Sequence, residues 1–147
     1  MTTTAGSPPI TRHDAPPGQE TSQIQRLMYR VHQYTAAAFI AGIVLQVFVV
    51  GMALFVNGSY WNMHEWVGNL INLLPATLII TSIIGRMPWS TRILSVALFL
   101  LVGMQHVTIA IGDWAGAFHP VNALSLIGIG ITLFRRTTGN DADAPYR

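Results

Sequence analysis

Four apolar runs, separated by short polar segments, occupy most of the chain after residue 35. They cover residues 36–56, 66–84, 93–111 and 115–134. A helix that crosses the hydrocarbon core of a bilayer needs about 20 mostly apolar residues, and the first three runs meet that length. The fourth is strongly apolar only from Val121, so its first turn is expected in the membrane interface or against protein. The pattern predicts four transmembrane helices.

The alternative is that these runs are the buried helices of a soluble bundle. Helices of that kind carry a polar face, and none of the four runs shows one. Charged residues make up only 10% of the chain, against roughly 25% in an average soluble domain, and the mean hydropathy is +0.45. The predicted fold class is therefore an all-α, integral membrane, up-and-down four-helix bundle, in which short loops make neighbouring helices antiparallel.

The polar segments at the two ends define the domain organisation. Residues 1–25 are polar and contain prolines at positions 8, 9, 16 and 17. Such a segment cannot bury enough apolar surface to fold alone, so we predict a disordered N-terminal cytoplasmic arm. The transmembrane domain is predicted over residues 26–136, and a cytoplasmic tail over residues 137–147.

The charges are distributed unequally between the two sides of the four-span arrangement. All eight basic residues are arginines on one side: Arg12, Arg26, Arg30, Arg86, Arg92, Arg135, Arg136 and Arg147. The two loops on the other side carry Glu65 and Asp113. Because positive residues are retained in the cytoplasm, both termini are predicted there. The net charge of +2 does not indicate a nucleic-acid partner.

The absence of cysteine excludes several kinds of chemical function for this chain. Disulfides, thiolate catalysis, cysteine-ligated iron–sulfur clusters and thioether-linked haem are excluded. Polar groups inside a membrane are costly, and they are functional candidates for that reason. Every predicted helix contributes at least one such group to the outer half of the bundle. These groups are Gln46, His64, Gln105, His106, His119 and Asn122.

Two of the histidines fit the ligands of a haem. In an up-and-down bundle with neighbouring helices about 8–10 Å apart, the second and fourth helices are diagonal and about 11–14 Å apart. That separation suits a haem held between two imidazoles, and a membrane interior suits the porphyrin. We therefore predict that His64 and His119 ligate a haem b. Gly68 lies one turn from His64, where a missing side chain lets a flat ring approach.

The other polar groups have ordinary alternatives. Gln46 and Gln105 are expected to face the bundle interior, either beside the cofactor or in hydrogen bonds between helices. His106 is interpreted as a histidine bonded to a neighbouring helix, a contact at the haem edge or a hydrogen-bond partner for a quinone, with the structural role favoured. His32, beside Arg30 and Tyr34, is predicted to be a surface group.

A different metal centre is also considered. His64, His106 and His119, with Glu65 or Asp113, offer ligands for zinc or copper with an open coordination position. The chain contains neither H-x-x-x-H nor H-E-x-x-H spacing, so this interpretation ranks below the haem.

Several stretches resemble a family of small bacterial four-helix membrane proteins that is classed only as a domain of unknown function. They are residues 44–55 (VLQVFVVGMALF), 64–68 (HEWVG) and 118–124 (FHPVNAL), with Gln105 and the pair Arg135 and Arg136. The resemblance covers roughly residues 31–136, and residues 119–124 are its most specific part. It implies the fold and a bacterial cytoplasmic membrane, but no activity.

A looser resemblance concerns one half of haem A synthase. Each half of that enzyme is a four-helix bundle with a histidine near the outer start of its second helix and another in its fourth. His64, Gly68 and His119 match this placement. The chain departs from the pattern at Glu65, where a basic residue is usual, and at Pro120.

Together these observations predict a membrane-embedded b-type haem protein for electron transfer or haem handling. Its expected partners are the lipid bilayer, a larger respiratory or other membrane complex and a quinone. The alternative is a non-catalytic accessory subunit of a larger membrane complex, in which the histidines and glutamines serve helix contacts. Both interpretations favour a role other than that of a stand-alone enzyme.

Overall fold

The structure, a computed structural model, describes residues 18–138, with side chains from residue 23, and this part of the chain is helical without strands. Its helices are α1 (Gly18–Phe55), α2 (Tyr60–Ile71), α3 (Leu73–Ile84), α4 (Trp89–Ile111), α5 (Asp113–Gly116) and α6 (Phe118–Thr138). They form four spans that are long and apolar enough to cross a membrane: Gln23–Phe55, Tyr60–Ile84, Trp89–Ile111 and Asp113–Thr138. The predicted all-α bundle of four transmembrane helices is confirmed.

The two ends of the bundle extend further than the sequence pattern predicted. The helix α1 begins at Gly18, so residues 18–25 of the predicted arm are helical, and residues 1–17 lie outside the described residues. The residues that follow Gly18 are rich in glutamine, glutamate, leucine and methionine, which are good helix formers. At the other end α6 runs to Thr138, and the rest of the predicted tail, residues 139–147, is not described.

The second and fourth spans are each divided near a proline. The second is interrupted at Asn72 and the fourth at Ala117. Pro75 and Pro120 then occupy the third position of α3 and α6, in the first turn of a helix, where an amide hydrogen has no partner within the helix. Each proline is therefore accommodated by restarting the helix rather than by leaving a carbonyl unpaired in mid-span.

The packing between helices gives the order of the spans around the bundle. The helix α1 packs against α2, α3 and α6, and α4 packs against α3 and α6. Spans that follow one another are neighbours, so the second and fourth spans are diagonal, as predicted for an up-and-down bundle. The core in the middle of the bundle contains Phe39, Ile43, Leu78, Leu98, Val102, Leu126 and Leu133.

The side chain of His32 lies in a different environment from the one predicted. It is not a surface group, because its side chain is 0% exposed. Its Nδ1 lies 2.9 Å from Thr81 Oγ1, whose own hydrogen is donated to the carbonyl of Thr77 at 2.8 Å. The imidazole therefore donates to Thr81, and its Nε2 is buried with no partner among the described residues. His32 shares a helical face with Thr35 and Phe39, which are buried as well, and that face points into the bundle.

Candidate functional site

The rings of His64 and His119 meet inside the bundle, near the end opposite to the arginines. Their centroids are 6.1 Å apart and their planes are inclined by 59°. Both side chains are half-buried. Since α2 and α6 belong to the diagonal spans, the two histidines approach each other across the bundle rather than along the contact of two neighbours. That diagonal relation is the reason why His64 and His119 were predicted as a pair.

The position of His64 follows from the start of α2. The amide of Ser59 donates to Asn57 Oδ1 at 2.9 Å, which forms a tight turn before the helix begins at Tyr60. His64 then shares one helical face with Gly68 and with Ile71, which is 8% exposed. This spacing of four and three residues turns the imidazole toward the interior. Trp61 packs edge-on to it with 5.8 Å between ring centroids.

The position of His119 follows from the turn between α4 and α6. Gly112 has φ 72°, and Asp113 has φ 44°, so the chain reverses through two left-handed residues, a conformation that glycine and aspartate tolerate better than most residues. This turn returns α6 beside α4. His119 Nδ1 then donates to the carbonyl of Gln105 at 3.3 Å. The other ring nitrogen, Nε2, is left as a lone pair, which is the form of imidazole that ligates metals.

Gln46 reaches the same place from α1. Its Nε2 donates to the carbonyl of His64 at 2.9 Å. A Cβ added at Gly68 would lie 2.6 Å from Gln46 Nε2, so this contact requires glycine at position 68. The space that the sequence assigned to a flat ring beside Gly68 thus holds the carboxamide of Gln46 in this structure. We refer to Gln46, His64, Gly68, Gln105 and His119 as the histidine site.

The histidine site contains polar atoms that the protein does not satisfy. Gln46 Oε1, Gln105 Oε1 and His64 Nδ1 are buried and have no hydrogen-bond partner among the described residues. Both glutamines thus turn an amide oxygen into the bundle, as predicted. Buried polar atoms in proteins are nearly always bonded, and each exception costs about 1–3 kcal/mol. Three exceptions in one half of the bundle distinguish this site from ordinary core packing.

His106 does not form part of the pair made by His64 and His119. Its side chain is exposed, its Nδ1 donates to the carbonyl of Val102 at 3.1 Å, and its Nε2 accepts from Asn72 Nδ2 at 3.0 Å. Asn72 lies at the break between α2 and α3, so His106 connects the third span to this interruption of the second. Both ring nitrogens are used, which corresponds to the structural role favoured for His106.

The alternative metal centre does not form among the described side chains. Within residues 23–138, no group of three or more histidine, aspartate and glutamate side chains is arranged to hold a metal ion. His106 is engaged with Asn72, and Glu65 and Asp113 are exposed. The expectation of a three-ligand zinc or copper site is therefore wrong for this part of the chain.

An apolar groove of about 370 Å³ lies next to the site and is lined by α4, α5 and α6. Thr108 and Asn122 are the polar side chains in its lining. Thr108 donates its hydroxyl to the carbonyl of Gln105 at 3.0 Å, and Asn122 Nδ2 donates to the carbonyl of Leu101 at 2.8 Å. Because the remaining side chains of the lining are apolar, the groove suits an apolar chain better than a polar head group.

Replacing the two glutamines by leucine should have unequal effects on the haem-free protein. Gln46→Leu removes the bond to His64 and should lower the free energy of unfolding by about 0.6–1.7 kcal/mol, the range for such bonds in membranes. Gln105→Leu removes a buried oxygen without a partner and should be neutral within about 0.5 kcal/mol or stabilising. Unfolding of both variants in mixed detergent micelles measures the difference. An equal cost for both would show that Gln105 also forms a bond between helices.

Comparison with known proteins finds a family model that matches part of the chain. Residues 46–111 match the model of a family of unknown function (DUF6220), which confirms the resemblance to a family classed in this way. The matched part contains Gln46, His64, Gly68 and Gln105, whereas His119 and the rest of residues 119–124 lie outside it. No curated protein and no solved structure matches the chain, so the looser resemblance to haem A synthase gains no support.

Proposed function

We propose that this multi-pass membrane protein binds a haem b between His64 and His119 and serves in electron transfer or haem handling. The observation that carries the proposal is the approach of the two imidazoles across the diagonal of the bundle, at 6.1 Å between centroids. The proposal extends to a quinone or a larger respiratory or other membrane complex as the partner.

The spacing of the rings agrees with ligands on opposite sides of one metal. A bond of about 2.0 Å from metal to imidazole nitrogen, and about 1.1 Å from that nitrogen to the ring centre, place two opposed rings about 6.2 Å apart. The observed distance is 6.1 Å. The separation of the rings leaves room for one metal between the two imidazoles, and His64 and His119 would hold a haem b there.

The hydrogen bonds of the site also fit this assignment. A histidine that ligates a metal usually donates its other ring nitrogen to a carbonyl, a carboxylate or water. His119 Nδ1 already donates to the carbonyl of Gln105. Among the described residues, His64 Nδ1 has no partner, and Gln46 Oε1 is an acceptor without a donor in the same site. We assign Gln46 as the residue that accepts from His64 and fixes the orientation of its ring.

The space beside Gly68 sets a further condition. The carboxamide of Gln46 fills this space, so a haem that used it would require Gln46 to move away from Gly68. When bound, haem supplies one-electron chemistry, and two histidine ligands favour electron transfer over the binding of oxygen.

The redox behaviour of the full-length protein tests this function. Protein purified in detergent from haem-replete cells should be reduced by dithionite and reoxidised by ferricyanide with a reversible change in its absorption bands. Carbon monoxide should leave the reduced spectrum unchanged, because both axial positions are filled. Binding of carbon monoxide would contradict the assignment of two histidine ligands. Folded protein without any haem band would favour the accessory-subunit alternative.

We further propose that both termini lie in the cytoplasm of a bacterial cell. The arginines of the described residues are all at one end of the bundle, and positive residues favour the cytoplasmic side. Ser59 and Ser90 are exposed at opposite ends. A membrane-impermeant thiol reagent applied to intact spheroplasts should label Ser59→Cys and spare Ser90→Cys. The reverse labelling pattern would invert the topology.

A further inference from the structure

The two histidines of the histidine site lie close to one end of the bundle. His64 is the fifth residue of α2, which begins at Tyr60. His119 is the second residue of α6, which begins at Phe118. Both imidazoles are half-buried, and Trp61, which packs on His64, is 46% exposed. The site is therefore near the aqueous boundary and is not enclosed in the middle of the membrane.

This end of the bundle carries negative charge and no basic side chain among residues 23–138. The carboxylates of that part of the chain are Glu65 and Asp113, and both are exposed. Glu65 follows His64 directly, and Asp113 lies in the turn that precedes α6. The arginines are all at the opposite end, and they are Arg26, Arg30, Arg86, Arg92, Arg135 and Arg136. An anion at the histidine site would thus have acidic side chains and no arginine near it.

This distribution of charge matters for haem because haem carries two carboxylates. Charged groups are costly in the hydrocarbon core, so these carboxylates are most stable at the aqueous end of the site, where Glu65 and Asp113 repel them. The N-termini of α2 and α6 act in the opposite sense with partial charges of about +0.5 each. Together they offset about one of the two negative charges, and the balance remains unfavourable for an anion.

Gln46 adds a second contribution against retention of haem. It donates to the carbonyl of His64 at 2.9 Å and fills the space beside Gly68. A haem that used this space would break that hydrogen bond, and the bond would form again when the haem leaves. The protein therefore has contacts of its own that compete with haem at the same place.

We propose that haem is an exchangeable cargo of the histidine site, passed to an acceptor at the end opposite to the arginines, and that the charge of Glu65 promotes its release. This inference rests on the proposed function and selects haem handling within it. Release breaks the bonds from the imidazole nitrogens of His64 and His119 to iron. Ligands of the acceptor replace them, and the iron keeps its oxidation state.

Transfer to haem-free myoglobin tests the proposal with the full-length protein, purified with its haem in detergent. The change in the Soret band gives the rate. Wild-type protein should transfer its haem completely, at a rate that is independent of the myoglobin concentration because release is limiting. Glu65→Gln should slow release about threefold or more, and Glu65→Arg about tenfold or more, since each reduces the repulsion of the haem carboxylates. Added salt should slow the wild type more than Glu65→Gln.

Thr138→Arg is the matched control for Glu65→Gln. Both substitutions raise the net charge by one unit, but Thr138 is exposed in the last turn of α6, at the arginine end. Charges farther apart than about 10 Å are largely screened at 0.1 M salt. Thr138→Arg should therefore change the rate of release by less than about twofold.

The possible results separate this inference from the function on which it rests. If wild-type protein keeps its haem in the presence of excess haem-free myoglobin, haem is a resident cofactor and the cargo proposal is wrong. If Glu65→Gln releases haem at the wild-type rate, or if Thr138→Arg slows release as much, Glu65 has no specific role. Folded wild-type protein that never binds haem would overturn the proposed function itself.

Discussion

Replacing either His64 or His119 by alanine is expected to abolish the Soret band of the purified protein. The two rings provide the only pair of imidazoles that approach each other across the described bundle, at 6.1 Å between centroids. Loss of one ligand leaves the haem with a single axial bond in a site shaped for two. The measurement is the haem absorption per mole of folded protein. Wild-type haem content in either variant would contradict the assignment of that histidine.

Controls are needed to separate the loss of a ligand from damage to the bundle. His106→Ala should at most shift the band, because His106 is engaged with Asn72 and not with the histidine pair. In His119→Gly the cavity left by the ring should accept free imidazole, and millimolar imidazole should restore part of the Soret band. If imidazole does not restore the Soret band of His119→Gly although the variant has normal helicity, a residue other than His119 ligates the haem.

Gly68→Val should strongly reduce haem binding while the bundle still folds. The first carbon of the new side chain would lie 2.6 Å from Gln46 Nε2, so Gln46 must move, and the branched side chain then occupies the space that the porphyrin edge needs. Valine is tolerated in a helix at least as well as glycine, and this favours retention of the helical fold. The measurements are haem content and the helical circular dichroism of the same preparation.

Gly103→Val is the matched control for this prediction. A Cβ at Gly103 meets nothing within 4 Å, so the same substitution on the third span should leave haem binding unchanged. If Gly68→Val retains full haem content, the haem does not lie beside α2 at this level. If Gly103→Val loses haem to the same degree, the loss reflects a general effect of valine in these helices.

The fold was predictable from the sequence because a membrane constrains it strongly. Runs of about 20 apolar residues, short loops and arginines on one side leave little choice besides antiparallel spanning helices. The boundaries and breaks of the helices were harder to predict from the sequence. The second apolar run begins at Trp66, but α2 begins at Tyr60, so His64 lies in its second turn rather than at its start. Polar residues between 60 and 65 concealed the helical turn that precedes the hydrophobic run.

The histidine site was partly predictable for the same physical reason. A polar side chain that faces lipid loses its hydrogen bonds, so Gln46, Gln105, His64 and His119 were all expected to face inward. What the sequence could not supply was the identity of their neighbours. The carboxamide of Gln46 occupies the space beside Gly68, a contact between two spans that depends on their relative height.

The buried position of His32 was not predicted, although the sequence contains the pattern that indicates it. Its sequence neighbours Arg30 and Tyr34 are exposed, and Tyr34 is 71% exposed, which favoured a surface position for the imidazole. Adjacent residues on a helix point in different directions, however, and only residues three or four positions away share a face. Thr35 and Ala36 are at those spacings, Phe39 follows two turns after His32, and all three are buried. This pattern was present in the sequence and could have identified His32 as an interior residue.

The absorption spectrum of the full-length protein, purified in mild detergent from haem-replete cells, shows whether His64 and His119 hold a haem. We expect a Soret band that corresponds to about one haem b per chain, and its loss in His64→Ala and in His119→Ala. A folded, helical protein that shows no Soret absorption, before and after incubation with added haemin, would contradict it.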